Sequence, residues 1–182
     1  MSPVVSIVAV SGSLHSPSKT TVLAAELLSA FADSLGSSGA VEVETHLIEL
    51  SDVGREFSGA LTRDELKPLA AEAIRRIESA TLLIVASPVY RASFTGLFKH
   101  VFDFVGQYSL IDKPVLLAAT GGSDRHSLIL EHQFRPLFSF FQALTLPIGV
   151  YASDTDFVDY RIDSQGLRDR IDQAIALSLI HI

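Results

Sequence analysis

The chain of 182 residues contains no cysteine. That absence removes disulfides, thiolate nucleophiles, iron–sulfur clusters and thiolate zinc sites together, and it fits a reducing cytoplasm. Basic residues are few: 14 Lys and Arg stand against 21 Asp and Glu, for a net charge of -7. A nucleic-acid surface needs a cationic face, so none is expected. Apolar runs of membrane length are missing too; stretches such as 81–86 and 114–119 are strand-sized. The first ten residues are too short for a signal peptide, and no basic segment precedes them. His15, His46, His100 and His181 show no metal spacing, and no metal site is expected. What remains is a cytoplasmic protein away from membranes. Its apolar content of 48% excludes global disorder, and its length suits one well-buried core. Residues 1–182 are therefore expected to form a single domain.

Within that core the apolar residues are ordered. Residues 4–10 (VVSIVAV), 81–86 (TLLIVA) and 114–119 (PVLLAA) are continuous runs, the pattern of strands buried on both faces. Residues 41–50 (VEVETHLIEL) alternate more and suit a strand nearer the sheet edge. A fifth strand is expected over 145–151 (TLPIGVY), interrupted by Pro147 and Gly149. Helical spacing appears over 18–35, 64–79, 95–105, 127–144 and 165–180, with Leu66, Leu69, Ala73, Ile74 and Ile77 on one stripe of the second. Strands alternating with helices predict a parallel, doubly wound α/β sheet. Five strands suit the flavodoxin-like order, a five-stranded parallel sheet with helices on both faces.

Open parallel sheets bind ligands outside the carboxyl ends of their strands. Three loops fall there. Residues 11–21 (SGSLHSPSKTT) place the hydroxyls of Ser11, Ser13, Ser18, Thr20 and Thr21 at a helix start, where amides and the helix dipole favour an anion such as phosphate. An ordinary capped helix start would look similar, because Ser and Thr are favoured there. The loop is neither a Walker loop nor G-x-G-x-x-G, having only Gly12. Residues 87–96 (SPVYRASFTG) could present backbone amides and Tyr90 to a flat polar ring, although Tyr90 taken alone is better read as packing on a neighbour. In 120–126 (TGGSDRH), paired glycines either admit a flat ligand or form a flexible turn.

Taken together, the three loops resemble the NAD(P)H-dependent FMN reductases. That family has G-S-x-x-x-x-S-x-[ST] after the first strand, then S-P-V-Y-x-x-S-x-[TS]-G-x-L-K, then T-G-G. Here these read Gly12-Ser13 with Ser18 and Thr20, Ser87 to Lys99 with a departure at Phe98, and Thr120-Gly121-Gly122. Residues 118–136 (AATGGSDRHSLILEHQFRP) are similar to the reductase half of two-component systems that take sulfur from alkanesulfonates, especially the methanesulfonate type. The resemblance implies that Ser11, Gly12, Ser13, Ser18, Thr20 and Thr21 hold the FMN phosphate. It implies that Pro88, Val89, Tyr90 and Arg91 line the ring, and that Thr120, Gly121, Gly122 and Ser123 close the other side. Several relatives carry an arginine two residues after the first-loop glycine; Leu14 stands here, and Lys19 or His15 would supply the charge.

His126 fits the family's T-G-G-x-x-x-H pattern and is the candidate catalytic residue, near flavin or nicotinamide. His132 falls where the sulfonate-system reductases carry an extra helix residue. Such an insertion forms a π-bulge, and an interface role suits it better than catalysis. The implied reaction is hydride transfer from NAD(P)H to FMN, with FMNH2 passed to a flavin-dependent monooxygenase. The alternative is an FMN-retaining quinone or azo reductase; an electron carrier and a flavin-free binding module are further rivals. A homodimer or homotetramer is expected, with Val101, Phe102, Phe104, Val105, Phe134, Phe138, Phe140 and Phe141 as the joining surface; the alternative is that these residues are core.

Overall fold

The computed structural model describes residues 3–37 and 39–181. Strand β1 (Val4–Ser11) leads to helix α1 (Lys19–Gly36) and β2 (Glu42–Glu49). A short α2 (Leu50–Val53) and two 3₁₀ turns connect to α3 (Pro68–Ser79), β3 (Leu82–Pro88) and α4 (Gly96–Asp103). After β4 (Pro114–Gly121) come a π-helical turn (Leu130–Phe134), α5 (Arg135–Phe140), β5 (Leu144–Thr145) and β6 (Val150–Ser153). A small hairpin, β7 (Phe157–Val158) with β8 (Arg161–Ile162), precedes α6 (Gln165–Ser178).

Parallel pairing runs β2-β1-β3-β4-β5, with β6 also on β4. This is the expected flavodoxin-like order, and β2 lies at the edge as its alternation predicted. The fifth position is filled by two pieces: Leu144 and Thr145 pair with the start of β4, and Val150–Ser153 with its end. Pro147, which lacks an amide for the ladder, lies in the gap between them.

Alternation along the strands builds two cores. Val8, Val10, Leu83, Val85, Val115 and Leu117 face α3, α4 and α5. Ile7, Ala9, Leu82, Ile84, Leu116 and Ala118 face α1 and α6. On the first side phenylalanines dominate. Phe98 is fully buried, its ring 4.8 Å from Phe102, 5.3 Å from Phe94 and 5.6 Å from Phe134.

Several expectations are corrected. The proposed joining surface is core: Val101, Phe102, Phe104, Val105, Phe134, Phe138 and Phe141 are buried within one chain, and only Phe140 is exposed. Helices packed across a sheet edge bury apolar residues on more than one side, which sequence alone read as an outer face. Helix α3 begins at Pro68 rather than at residue 64, because proline suits a first helical position, and Leu69 points to solvent. The helix expected over 127–144 is shorter and opens with the π turn, whose central residue is His132.

Glu78 ties α3 to the chain after α4. Its carboxylate receives both Arg63 Nη atoms, at 2.7 and 2.6 Å, and the Gly106 amide at 2.8 Å. Burial opposes ionisation, but the Arg63 and Gly106 hydrogen bonds outweigh it and hold the carboxyl below its ordinary value. A depressed folded value stabilises the protein above the unfolded value, about 4.3, and that stabilisation is lost as pH falls through the folded value. Glu78→Gln is expected to cost about 1–2 kcal/mol at neutral pH. Urea titrations of both proteins should show the difference closing below pH 4 or so; a difference independent of pH would contradict the assignment.

Candidate functional site

The sheet reverses direction of growth between β1 and β3, and the chain there leaves a cleft at the carboxyl ends of β1, β3 and β4. Its volume is ≈ 360 Å³, inside the range of about 300–1,000 Å³ common for small-molecule sites. A groove of ≈ 450 Å³ along β2 and α3 lies elsewhere. Arg76 there is already bonded to Glu72 and to His46, so its polar groups are satisfied.

Three loops are laced into one wall system. Thr95 Oγ1 donates to the Gly12 carbonyl at 2.9 Å, joining the second loop to the first. Thr20 and Thr120 share a buried hydroxyl contact of 2.6 Å, joining the first to the third. The Val89 amide donates to the Thr120 carbonyl at 2.8 Å, joining the second to the third. Ser87 Oγ, buried, accepts the Thr95 amide at 3.1 Å. Gly12 is required by close approach: a Cβ would stand 2.9 Å from both Phe98 Cδ2 and Ser87 Cβ.

Ser18 caps α1, accepting the Thr21 amide at 3.3 Å. The first amides of a helix have no carbonyl within it to bond, and Ser18, Lys19 and Thr20, at the start of α1, line the cleft. The second loop turns at Arg91 and Ala92, both with positive φ (51° and 65°), and closes through the Tyr90 amide to the Ser93 carbonyl at 2.8 Å. Two non-glycine residues in that region cost roughly 1–3 kcal/mol each, so tertiary contacts impose this turn. It leaves Tyr90 partly exposed at the rim. Opposite, Gly121 packs so closely on Tyr151 Oη that no side chain fits without displacement. That hydroxyl donates to the Ser123 carbonyl at 2.6 Å. Burial raises the Tyr151 pKa, with Asp124, Asp154 and Asp156 adding to the rise.

Of the residues expected to hold a ligand, Ser13, Ser18, Thr20, Pro88, Val89, Tyr90, Thr120, Gly121 and Gly122 line this cleft. Ser11, Gly12, Thr21, Arg91 and Ser123 do not. By strand alternation Ser11 faces α1, where its hydroxyl lies 2.8 Å from Thr21 Oγ1, so the two satisfy each other. Gly12 acts beneath the loop, Ser123 through its carbonyl, and Arg91 lies at the turn tip in a separate depression with Val89 and Tyr90. His126 and His132 share a neighbouring cleft of ≈ 270 Å³ with Arg125 and Gln133, joined to the first through Val89. His15 and Lys19, the alternative sources of charge, both reach the main cleft.

Tyr160, at the turn of the β7–β8 hairpin, and Asp154 were missed; Asp154 comes from a fourth loop, the one after β6. The rule that ligands gather at strand carboxyl ends applied to it equally. The broken fifth strand hid where that end fell. Among the described residues no group of three or more acidic or histidine side chains is placed to hold a metal, and no helix is long and apolar enough to cross a membrane.

A doubly wound sheet in this order, with hydroxyls and paired glycines around one cleft at its strand ends, defines a flavodoxin-like protein. The chain belongs to the NADPH-dependent FMN reductase family, which it matches over residues 5–157. It is 54% identical over 171 residues to the NADH-dependent FMN reductase SfnF of Pseudomonas fluorescens (strain Pf0-1), covering 94% of this chain and 88% of that one. It is 51% identical over 165 residues to an FMN reductase (NADPH) of Pseudomonas aeruginosa, covering 91% and 86%. Among solved structures, an oxidoreductase from Corynebacterium diphtheriae superposes with a TM-score of 0.87 at 31% identity, covering 100% of this chain and 98% of that one. FMN and a nicotinamide nucleotide are thus the family's reactants, and the chain is an oxidoreductase.

Proposed function

We propose that this chain works as a one-domain, cytoplasmic NAD(P)H-dependent FMN reductase that releases FMNH2 to a partner flavin-dependent monooxygenase, in sulfonate sulfur acquisition. The observation that carries the reading is the convergence of three bonded loops on one cleft. Ser13, Ser18, Thr20 and Thr120, from the first and third loops, line it together with Gly121 and Gly122.

The residues fit FMN. Ser18, Thr20, Lys19 and the start of α1 would hold the phosphate, and Pro88, Val89 and Tyr90 with Thr120, Gly121 and Gly122 would line the ring. When bound, the flavin supplies the hydride-accepting chemistry. The chain's own share is orientation and exclusion of water, which its bonded loops provide without reorganising. No side-chain acid or base is needed for a hydride. His126, in the adjoining cleft, is assigned to positioning the nicotinamide nucleotide. The sulfonate context rests on the likeness of residues 118–136 and on the π turn around His132; an interface role for His132 belongs to the same reading.

Steady-state oxidation of NADH and of NADPH tests this, with FMN, riboflavin and menadione varied separately. The expected result is saturable turnover that depends on FMN and yields free FMNH2. Turnover only with menadione, on flavin that stays bound, would move the assignment to a quinone reductase. No oxidation of either nucleotide would overturn it.

A further inference from the structure

The charge at the phosphate end of the cleft is cancelled from within. Among the described residues lining the cleft, Lys19 is the single lysine or arginine and Asp154 the single carboxylate. They are paired: Lys19 Nζ lies 2.8 Å from Asp154 Oδ1. Lys19 is at the first position of α1, beside the cap Ser18, and its ammonium also lies 5.9 Å from the centre of the Phe157 ring. Asp154 belongs to the loop after β6, which Asp156 anchors by accepting the Ser153 amide at 2.7 Å. From there its carboxylate reaches toward Gly122, where Oδ2 would be 3.8 Å from an added Cβ. The loop thus carries a negative charge across the cleft from the third loop to the first. Asp124, Asp154 and Asp156 also raise the Tyr151 pKa, a sign of the same negative field.

A phosphate monoester in this position meets a lysine already held by a carboxylate, and meets that carboxylate as a like charge. Resting on the FMN reading above, we infer that Asp154 sets the residence of FMN by competing with its phosphate for Lys19. The pair keeps the site selective for a phosphorylated flavin while preventing tight retention. A reductase that hands its flavin on needs such a balance; one that keeps its flavin does not. Both side chains are partly open to solvent, so the interaction can exchange without unfolding the loop. Lys19 is the residue that would contact the phosphate, and Asp154 acts through it by holding its ammonium away.

The test is a set of equilibrium titrations, following fluorescence quenching of FMN and of riboflavin on the whole flavin-free chain, for the native protein, Asp154→Asn, Lys19→Met and the double variant. Asp154→Asn is expected to tighten FMN about threefold to tenfold, with riboflavin changed less than about twofold. The gain should shrink as salt is raised, because the added attraction is an exposed one. Lys19→Met should weaken FMN and leave riboflavin alone, and in its background Asp154→Asn should have little effect. FMN dissociation, followed by stopped flow, should slow in Asp154→Asn in proportion to the gain. Riboflavin serves as the measure of intact folding. If Asp154→Asn leaves FMN unchanged or weaker, or tightens riboflavin equally, or acts without Lys19, the competition is refuted while the FMN site stands. If neither flavin binds the native chain, the FMN reading itself falls, and this inference with it.

Discussion

Phe98→Ala is expected to lower the free energy of unfolding by about 3–5 kcal/mol, the range for removing a large aromatic from a packed core. Phe98 is fully buried and stacks with Phe94, Phe102 and Phe134 at once, so no single neighbour can fill the space it leaves. The same ring packs against Gly12, which puts the first loop directly beside the space its removal would leave. Loss of stability should therefore come with weaker FMN binding in whatever fraction remains folded. A urea titration with unchanged slope would report the first effect cleanly. Phe140→Ala makes the contrast: that ring is 61% exposed, and its removal should stay within about 0.5 kcal/mol. A cost below about 1 kcal/mol for Phe98→Ala would mean the cluster repacks, and would remove the mechanical link to Gly12.

The second large effect is expected at Gly121. A methyl group there meets Tyr151 Oη far inside contact distance, and stands 3.4 Å from Val89 Cγ2. Tyr151 must swing away, giving up its 2.6 Å bond to the Ser123 carbonyl and unfastening the third loop. Gly121→Ala should raise the KM for FMN by about tenfold or more, equivalent to about 1.4 kcal/mol or more. Tyr151→Phe removes the colliding oxygen, and its ring carbon would lie 3.3 Å from the new methyl, a distance small shifts can relieve. Adding Tyr151→Phe to Gly121→Ala is thus expected to restore part of the affinity. If the double variant is as weak as Gly121→Ala or weaker, the collision is not the cause, and the bond to Ser123 carries more of the site than the glycine does.

These two positions differ in how they could be read. Gly121 stood in a T-G-G run after an apolar strand, where paired glycines mean either close approach or a flexible turn, and the structure shows the approach to be that of Tyr151. Phe98 marked a departure from its motif and looked like one more apolar residue of an amphipathic helix. Only packing shows that it underlies Gly12. The same division runs through the hydroxyls. Five of the first loop's six were expected at the phosphate, but strand and helix phase send Ser11 and Thr21 to each other and Thr20 to Thr120.

The sequence by itself determined the class of the fold, the order of the strands and the three loops at their ends. These depend on local pattern: continuous β-branched runs for buried strands, a 3.6-residue period for helices, and small polar residues where strands stop. The resemblance to the sulfonate-system reductases, rather than any local pattern, marked His132 as the place of an inserted helix residue, where the π turn is found. The tertiary structure decided which residues are core, which hydroxyls face the cleft, and that Asp154 arrives there from a loop 135 residues beyond Lys19. Those outcomes depend on contacts between segments far apart in the chain. A local period can say that a helix has an apolar side, but not whether a sheet, a second helix or solvent will meet it.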